Sequence, residues 1–445
     1  VDTLIWIVAA RETLDNLMSL KFLFGTVLCL VLVAISTVIS LNDYQSRMDE
    51  YDSAIAEFNG KPDIFRPRIH RKPEVLSIFV RGFEKRFGNV VQLYDSVPVR
   101  AGGFMGTSES AQFSAEFASI DLLFVVKVIL SLLAIFLSYD AISGERERGT
   151  LKLALSRPVP RSSIILGKLI AGGVCLLIPL VMSFIIGVLI LQLVGGVDFT
   201  SEDWLRISLI AGVGILCVMS FYMLGLVVSS RTRQAAISLL ILLLIWIIGV
   251  FLIPGITTAA VDRYRLMMHN PGKNIAAINA DFSGRRRDDP MPDIHADREV
   301  YARYRIKWDE LEDEKNRSIW NLQMPYLNRL YSQADLVRWI CRLSPSESCA
   351  YAAEAMARTD IEAYRSFMRY ARSYHERHRE FAKILWKDRD KFGEEREKYT
   401  KAVQAPPIPF AASFRSAAPD ICLLAIFNIL FFMLSILFFT RYDVH

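Results

Sequence analysis

The sequence predicts an all-α polytopic membrane protein with six transmembrane helices. Three observations carry that reading. Apolar residues make up 52% of the 445-residue chain. Apolar runs long enough to cross a hydrocarbon core recur six times. Lys and Arg collect in the short loops on one side only. The mean hydropathy is +0.28 and the net charge a modest +5. The basic residues are scattered, with no basic stripe interleaved with aromatics, so no nucleic-acid partner is expected.

Residues 1–19 come first. Leu4, Ile7, Val8, Leu14 and Leu17/Met18 fall near helical spacing with Arg11, Glu12 and Asp15 opposite, the pattern of a helix lying along the membrane interface. No cleavable signal peptide is expected, because the apolar run that follows is too long and lacks a small-residue cleavage site. The predicted spans are residues 22–41, 120–139, 169–194, 205–228, 235–253 and 421–440, with a kink placed at Pro179 in the third. The 140–168 loop carries Arg146, Arg148, Lys152, Arg157, Arg161 and Lys168, and the 229–234 loop carries Arg231 and Arg233. Between them, 195–204 holds Asp198, Glu202 and Asp203 and no Lys or Arg. By the positive-inside rule the 140–168 loop and both termini are cytoplasmic.

Two insertions then face the other side. The first, 42–119, reads as mixed α/β: Pro73–Val80 as a strand, Arg81–Phe87 as a short helix, Ala101–Thr107 as a loop. The second, 257–419, reads as a large, charged, water-exposed helical domain, with helices over 297–330 and 350–403 ended by Pro406-Pro407-Ile-Pro409. Six cysteines are too few for a disulfide scaffold. Cys341 and Cys349 lie outside the apolar runs and can pair in an oxidising compartment.

The most informative stretch is the charged loop between the second and third spans. Asp140-x-x-x-x-Glu145-Arg146-Glu147-Arg148-Gly149-Thr150-Leu151, followed by Ser156-Arg157-Pro158-Val-x-Arg161 and Gly167-Lys168, resembles the signature of ABC-2 type transporter permeases. Within that class it is similar to the branch containing the permeases of nitrous-oxide-reductase maturation and of gliding motility. The resemblance covers the six-span layout and is sharpest from 133 to 169; the 257–419 insertion lies outside the family pattern. It implies a coupling helix that docks on a separate ATPase dimer, which binds the ATP and Mg. It implies also a second permease subunit, the same or related, and a bacterial inner membrane as the location. Glu145 and Glu147 suit a helix start, Arg146 and Arg148 can reach partner carboxylates, Gly149 breaks the helix, and Leu151, Leu153 and Leu155 can fill an apolar groove. No Gly-x-x-x-x-Gly-Lys-Ser/Thr string occurs, so this chain is not expected to be an enzyme or to hold a cofactor.

Lys127 lies inside the second span, with Asp121 near its end. An ionisable group at that depth faces a cavity or a partner. Lining of the pathway or dimer seam, snorkelling, and pairing with a neighbouring span all remain open. Gly187, Gly195, Gly212, Gly214 and Gly225 read as close-packing positions. His375-Glu-Arg-His378 is one residue short of a zincin motif and reads as a solvated helix face, so no metal is expected. The function predicted is export or extraction of a lipid, peptide or other amphipathic substrate, driven by the partner ATPase. The alternative is a mechanical role, in which the insertions act on an envelope protein and nothing crosses.

Overall fold

In the computed structural model the described residues are 2–60, 68–82, 90–92, 121–151, 160–257, 259–260, 271–291, 298–387 and 403–440. Among the described residues, six helices are long and apolar enough to cross a membrane. They are α2 (Leu20–Gly60), α3 (122–138), α5 (Arg161–Leu193), α6 (Ser201–Arg231), α7 (Ala235–Thr257) and α12 (Phe410–Thr440). Before them lies α1 (Asp2–Leu17), and after α3 the short α4 (Ser143–Glu147). In the second insertion come α8 (Gly272–Asp288), α9 (Arg298–Cys341), α10 (Pro345–Met356) and α11 (Ile361–Lys387). The chain is therefore a multi-pass membrane protein.

The first span outruns its apolar stretch. The 41 residues of α2 make about 60 Å of helix, twice the ~30 Å of hydrocarbon, so its second half projects into the first insertion. Leu23, Phe24, Val27, Leu28, Val31, Ile35 and Ile39 are exposed along its apolar half, as residues facing lipid must be. In the same way α1 buries Ala9 and exposes Trp6, Ile7, Leu14 and Met18, the pattern of a helix lying in the interface.

Lipid tails are as apolar as Leu, so close packing and polar links hold such a bundle together. A Cβ added at Gly225 would lie 1.8 Å from Ser138 Oγ, and one at Gly172 2.0 Å from the Tyr222 ring. Those glycines let α6 touch α3 and α5. Gly212 has nothing within 4 Å, so the close-packing role expected there does not hold.

The insertions depart from expectation. Residues 73–80 do not form a strand. Val75–Ile78 is a 3₁₀ turn, because the Ser77 hydroxyl donates to Glu74 O at 2.6 Å and draws the backbone into a turn. Leu76, Ile78, Phe79 and Val80 are all buried, with no polar face to alternate. Strands occur instead at β1 (Arg68–His70), β2 (Val90–Gln92) and β3 (Val403–Gln404). They pair in the order β2-β1-β3, with Ile69 opposite Val91 antiparallel and opposite Val403 parallel. Ile69 packs on Tyr364, Phe367, Ala371 and Tyr374 of α11. The expected helix over 81–87 and loop over 101–107 fall almost wholly outside the described residues.

The larger difference is α10. Residues 257–419 read as water-exposed, yet Cys349, Ala350, Ala352, Ala353, Ala355 and Met356 are buried in the core of the bundle. Pro345 O lies 3.9 Å from Cys217 Sγ, about 24 Å along α6 from Ser201 at 1.5 Å per residue. At the other end of α10, Arg206 Nη1 donates to Met356 O at 2.8 Å. The end of α9 thus descends into the bundle and α10 climbs back antiparallel to α6. This is a re-entrant hairpin seated against α3, α6, α7 and α12. Its Ala-rich surface permits that close approach.

The close contacts give a first test. Gly225→Ala is expected to destabilise the purified protein by about 1–3 kcal/mol through overpacking. Gly212→Ala should stay within about 0.5 kcal/mol of wild type. Thermal unfolding in detergent separates the two.

The loop between the second and third spans as candidate coupling site

The short loop after α3 touches every span of the bundle. Lys21, at the start of α2, donates to Asp140 Oδ2 at 2.7 Å and to the Tyr139 hydroxyl at 2.8 Å. Lys168 of α5, its side chain 2% exposed, donates to Glu145 at 2.7 Å and to Glu12 of α1 at 2.6 Å. Ser229 Oγ of α6 accepts from the backbone N–H groups of Ile142 and Ser143, both at 3.0 Å. Arg146 donates to the carbonyls of Thr232 and Ser230 at 2.7 and 3.1 Å. Glu147 accepts from Ala235 N at 3.1 Å, an anion at the N-terminus of α7 where the helix dipole favours it. Arg161 donates to Thr440 O at 2.8 Å, a cation at the C-terminus of α12.

An apolar knot backs these polar links. Leu151, 1% exposed, packs with Ile142, Ile164, Ile165 and Phe439. The signature residues therefore do more than the sequence suggested. Glu145, Arg146 and Leu151, expected to meet a partner, are held inside this chain. What faces solvent is Glu147, Arg148, Gly149 and Thr150. Gly149 has φ +75°, the left-handed conformation that ends α4 and that a side chain would strain. Arg148 donates to the Gly144 carbonyl one turn back, at 3.1 Å. Leu153, Leu155, Arg157 and Pro158 lie outside the described residues.

At the opposite face the intramembrane charges are also accounted for. Lys127 donates to Glu347 of α10 at 2.5 Å. Asp121 caps α3 by accepting from Phe124 N at 2.7 Å, and it accepts from Arg81 N at 3.1 Å. Asp420 of α12, fully buried, takes a bidentate pair from Arg342 at 2.6 and 2.9 Å. The Cys341–Cys349 bridge is not formed; both thiols are free. Cys341 Sγ lies 3.1 Å from Thr257 Oγ1 of α7, and Cys349 is buried in the core of the bundle. His375 and His378 are buried, not solvated. His378 stacks on Tyr374 at 6.1 Å, packing that helical spacing alone does not reveal.

Sequence reasoning missed Lys21, Glu12, Ser229 and Glu347 as partners. One available signal was that buried Lys and Asp in spans demand opposite charges elsewhere.

The comparisons with known proteins agree with this layout. A profile of the ABC-2 family transporter proteins matches residues 6–444. The chain belongs to the ABC-2 family. It is 33% identical over 127 residues to the "Probable ABC transporter permease protein NosY" of Stutzerimonas stutzeri, a stretch covering 28% of this chain and 46% of that protein. It is 41% identical over 56 residues to the protein of the same name from Pseudomonas aeruginosa, covering 13% and 20% of the two chains. The aligned region spans less than half the length of either relative. As an ABC-2 protein it is an ABC transporter membrane subunit of the permease type.

The internal bonding of the loop sorts its residues by stability. Lys168→Met strands two carboxylates and is expected to cost about 3–5 kcal/mol. Arg148→Glu, on the exposed turn, should stay within about 0.5 kcal/mol of wild type. Melting curves of the two purified variants make the comparison.

Proposed function

We propose that this chain converts ATP hydrolysis by a separate ATPase dimer, which binds the ATP and Mg, into movement of its six spans. The observation that carries the reading is the contact of residues 139–151 with every span. A push delivered at Glu147–Thr150 reaches α2 through Asp140 and α1 and α5 through Lys168. It reaches α6 through Arg146, α7 through Glu147 and α12 through Leu151, which packs with Phe439. On this reading the loop face and both termini are cytoplasmic, in a bacterial inner membrane. A second permease subunit, the same or related, completes the assembly. The chain carries out no covalent chemistry; the energy goes into a conformational cycle.

The cargo we propose is a lipid, peptide or other amphipathic molecule, exported or extracted along the seam between two permease subunits. What supports a seam, and not a path through one protomer, is that α10 fills the interior. A cavity beside it, lined by Val80, Leu122, Phe184, Ile210, Cys349 and Ala353, holds about 10 Å³. That is room for one water. A second reading gains from the same hairpin: the bundle acts mechanically on an envelope protein through the insertions, and nothing crosses. Its support is that α9, 44 residues long and so about 66 Å, is rooted inside the bundle.

Copurification with a coexpressed ATPase tests the coupling reading. Arg148→Glu and Thr150→Trp, both on the exposed turn, are expected to lower ATPase recovery at least about tenfold, the effect of ~1.4 kcal/mol at the interface. Recovery equal to wild type with both variants, each still folded, would remove the turn as docking surface.

A further inference from the structure

The hairpin seat combines three features that a passive filler does not need. The first is its buried ion pair, Lys127–Glu347. Such a pair adds little net stability over apolar residues of the same volume, and its best-attested use is to fix register or to switch. The second is that both spans at the seat are π-helical where the hairpin meets them: Val125–Leu130 in α3, which contains Lys127, and Ile248–Leu252 in α7. A Cβ at Gly249 of that second segment would lie 3.1 Å from Ser344 Oγ. π-Turns interrupt the helical ladder and gather at functional sites. The third is a side-chain relay across the seat. Trp246 Nε1 of α7 donates to Ser131 Oγ at 2.8 Å, Ser131 Oγ donates to Lys127 O, and Lys127 Nζ holds Glu347.

The same helix as Glu347, α10, carries Cys349 and Glu354, and Cys217 of α6 lies 3.9 Å from Pro345 O at its start. Beyond the pair, α10 presents Ala350, Ala352, Ala353 and Ala355, side chains too short to interlock with the spans. A surface of that kind can slide, and the polar links decide where it rests. At the bottom of the hairpin, Arg342 and Asp420 tie the 342–344 turn to α12.

We propose that α10 and the end of α9 form a transmission joint, with Lys127 and Glu347 as its positioning residues. When the loop face moves α3 against α6, the Lys127–Glu347 link draws α10 with α3 against its ties to Arg206 of α6 and Asp420 of α12. The 342–344 turn passes that displacement to α9, so the second insertion moves in step with the bundle. The inference rests on the coupling reading above, since the motion starts at the loop. It adds which span drives the insertion and through which pair.

Cys217 of α6 lies 3.9 Å from Pro345 O of α10, one helical turn before Cys349, and the two thiols report the motion. The full chain, with Cys29, Cys175, Cys341 and Cys422 changed to Ser, is assembled with its ATPase in lipid nanodiscs. It is oxidised with copper phenanthroline, without nucleotide and after trapping with ATP and vanadate, and the linked peptides are counted by mass spectrometry. The expected result is a change in cross-link yield of at least about fivefold between the two states, the lower bound of a useful coupling. Lys127→Met and Glu347→Gln should abolish that difference while ATP turnover persists, and the exchange Lys127→Glu with Glu347→Lys should restore it. Lys127→Arg, which keeps the charge, should retain it and shows that the position tolerates change.

Equal yields in both states, with ATP turnover intact, would overturn the joint and leave the coupling reading standing. A difference that survives in Lys127→Met would overturn the role of the pair. Failure of any ATPase to assemble would overturn the coupling reading, and the joint with it.

Discussion

Charge inside an apolar solvent must find opposite charge, and that constraint sets which parts of this molecule stay together. Lys168 is buried, so it gathers Glu12 and Glu145, and with them α1 and the coupling loop. Lys127 is buried, so α10 stays against α3. Asp420 has no exposed surface, so Arg342 is drawn down to it. Arg206, also fully buried, takes Glu202 at 2.7 Å and the carbonyl of Met356. A lone charge at such depth would cost several kcal/mol or more. Each pair therefore acts as a clamp between elements that apolar packing alone would hold only loosely.

Much of this was legible in the sequence, and the limits have physical reasons. The spans are visible because twenty apolar residues in a row have few other uses. The charged loop after the second span is visible because its charges, its Gly149 break and its position between two spans coincide. The direction in which its side chains point was not legible. Glu145, Arg146 and Leu151 have the chemistry of a docking surface, and the fold turns them inward because Lys168, the end of α6 and Phe439 lie there. Those partners are distant in sequence, and periodicity within a loop carries no record of them.

The re-entrant helix escaped for the opposite reason. Pro345–Met356 has no apolar run, two glutamates and a high content of Ala and Ser, which reads as water-soluble. Small residues bury by close approach and not by hydrophobicity, so hydropathy cannot register them. Glu347 is tolerated there because Lys127 pairs with it. The strand expected at 73–80 failed similarly, since burial on all sides removes the alternation that marks a strand.

The rooting of α9 inside the bundle also has a consequence for biogenesis. Residues 342–357 complete their contacts only against α12, which begins at Phe410 and is made later. The second insertion is therefore made while its final seat is incomplete. Its tip must re-enter between spans already in place, without the continuous apolar stretch that would let an insertion machinery recognise it as a span. α12, made after the hairpin, closes the site that the insertion occupies.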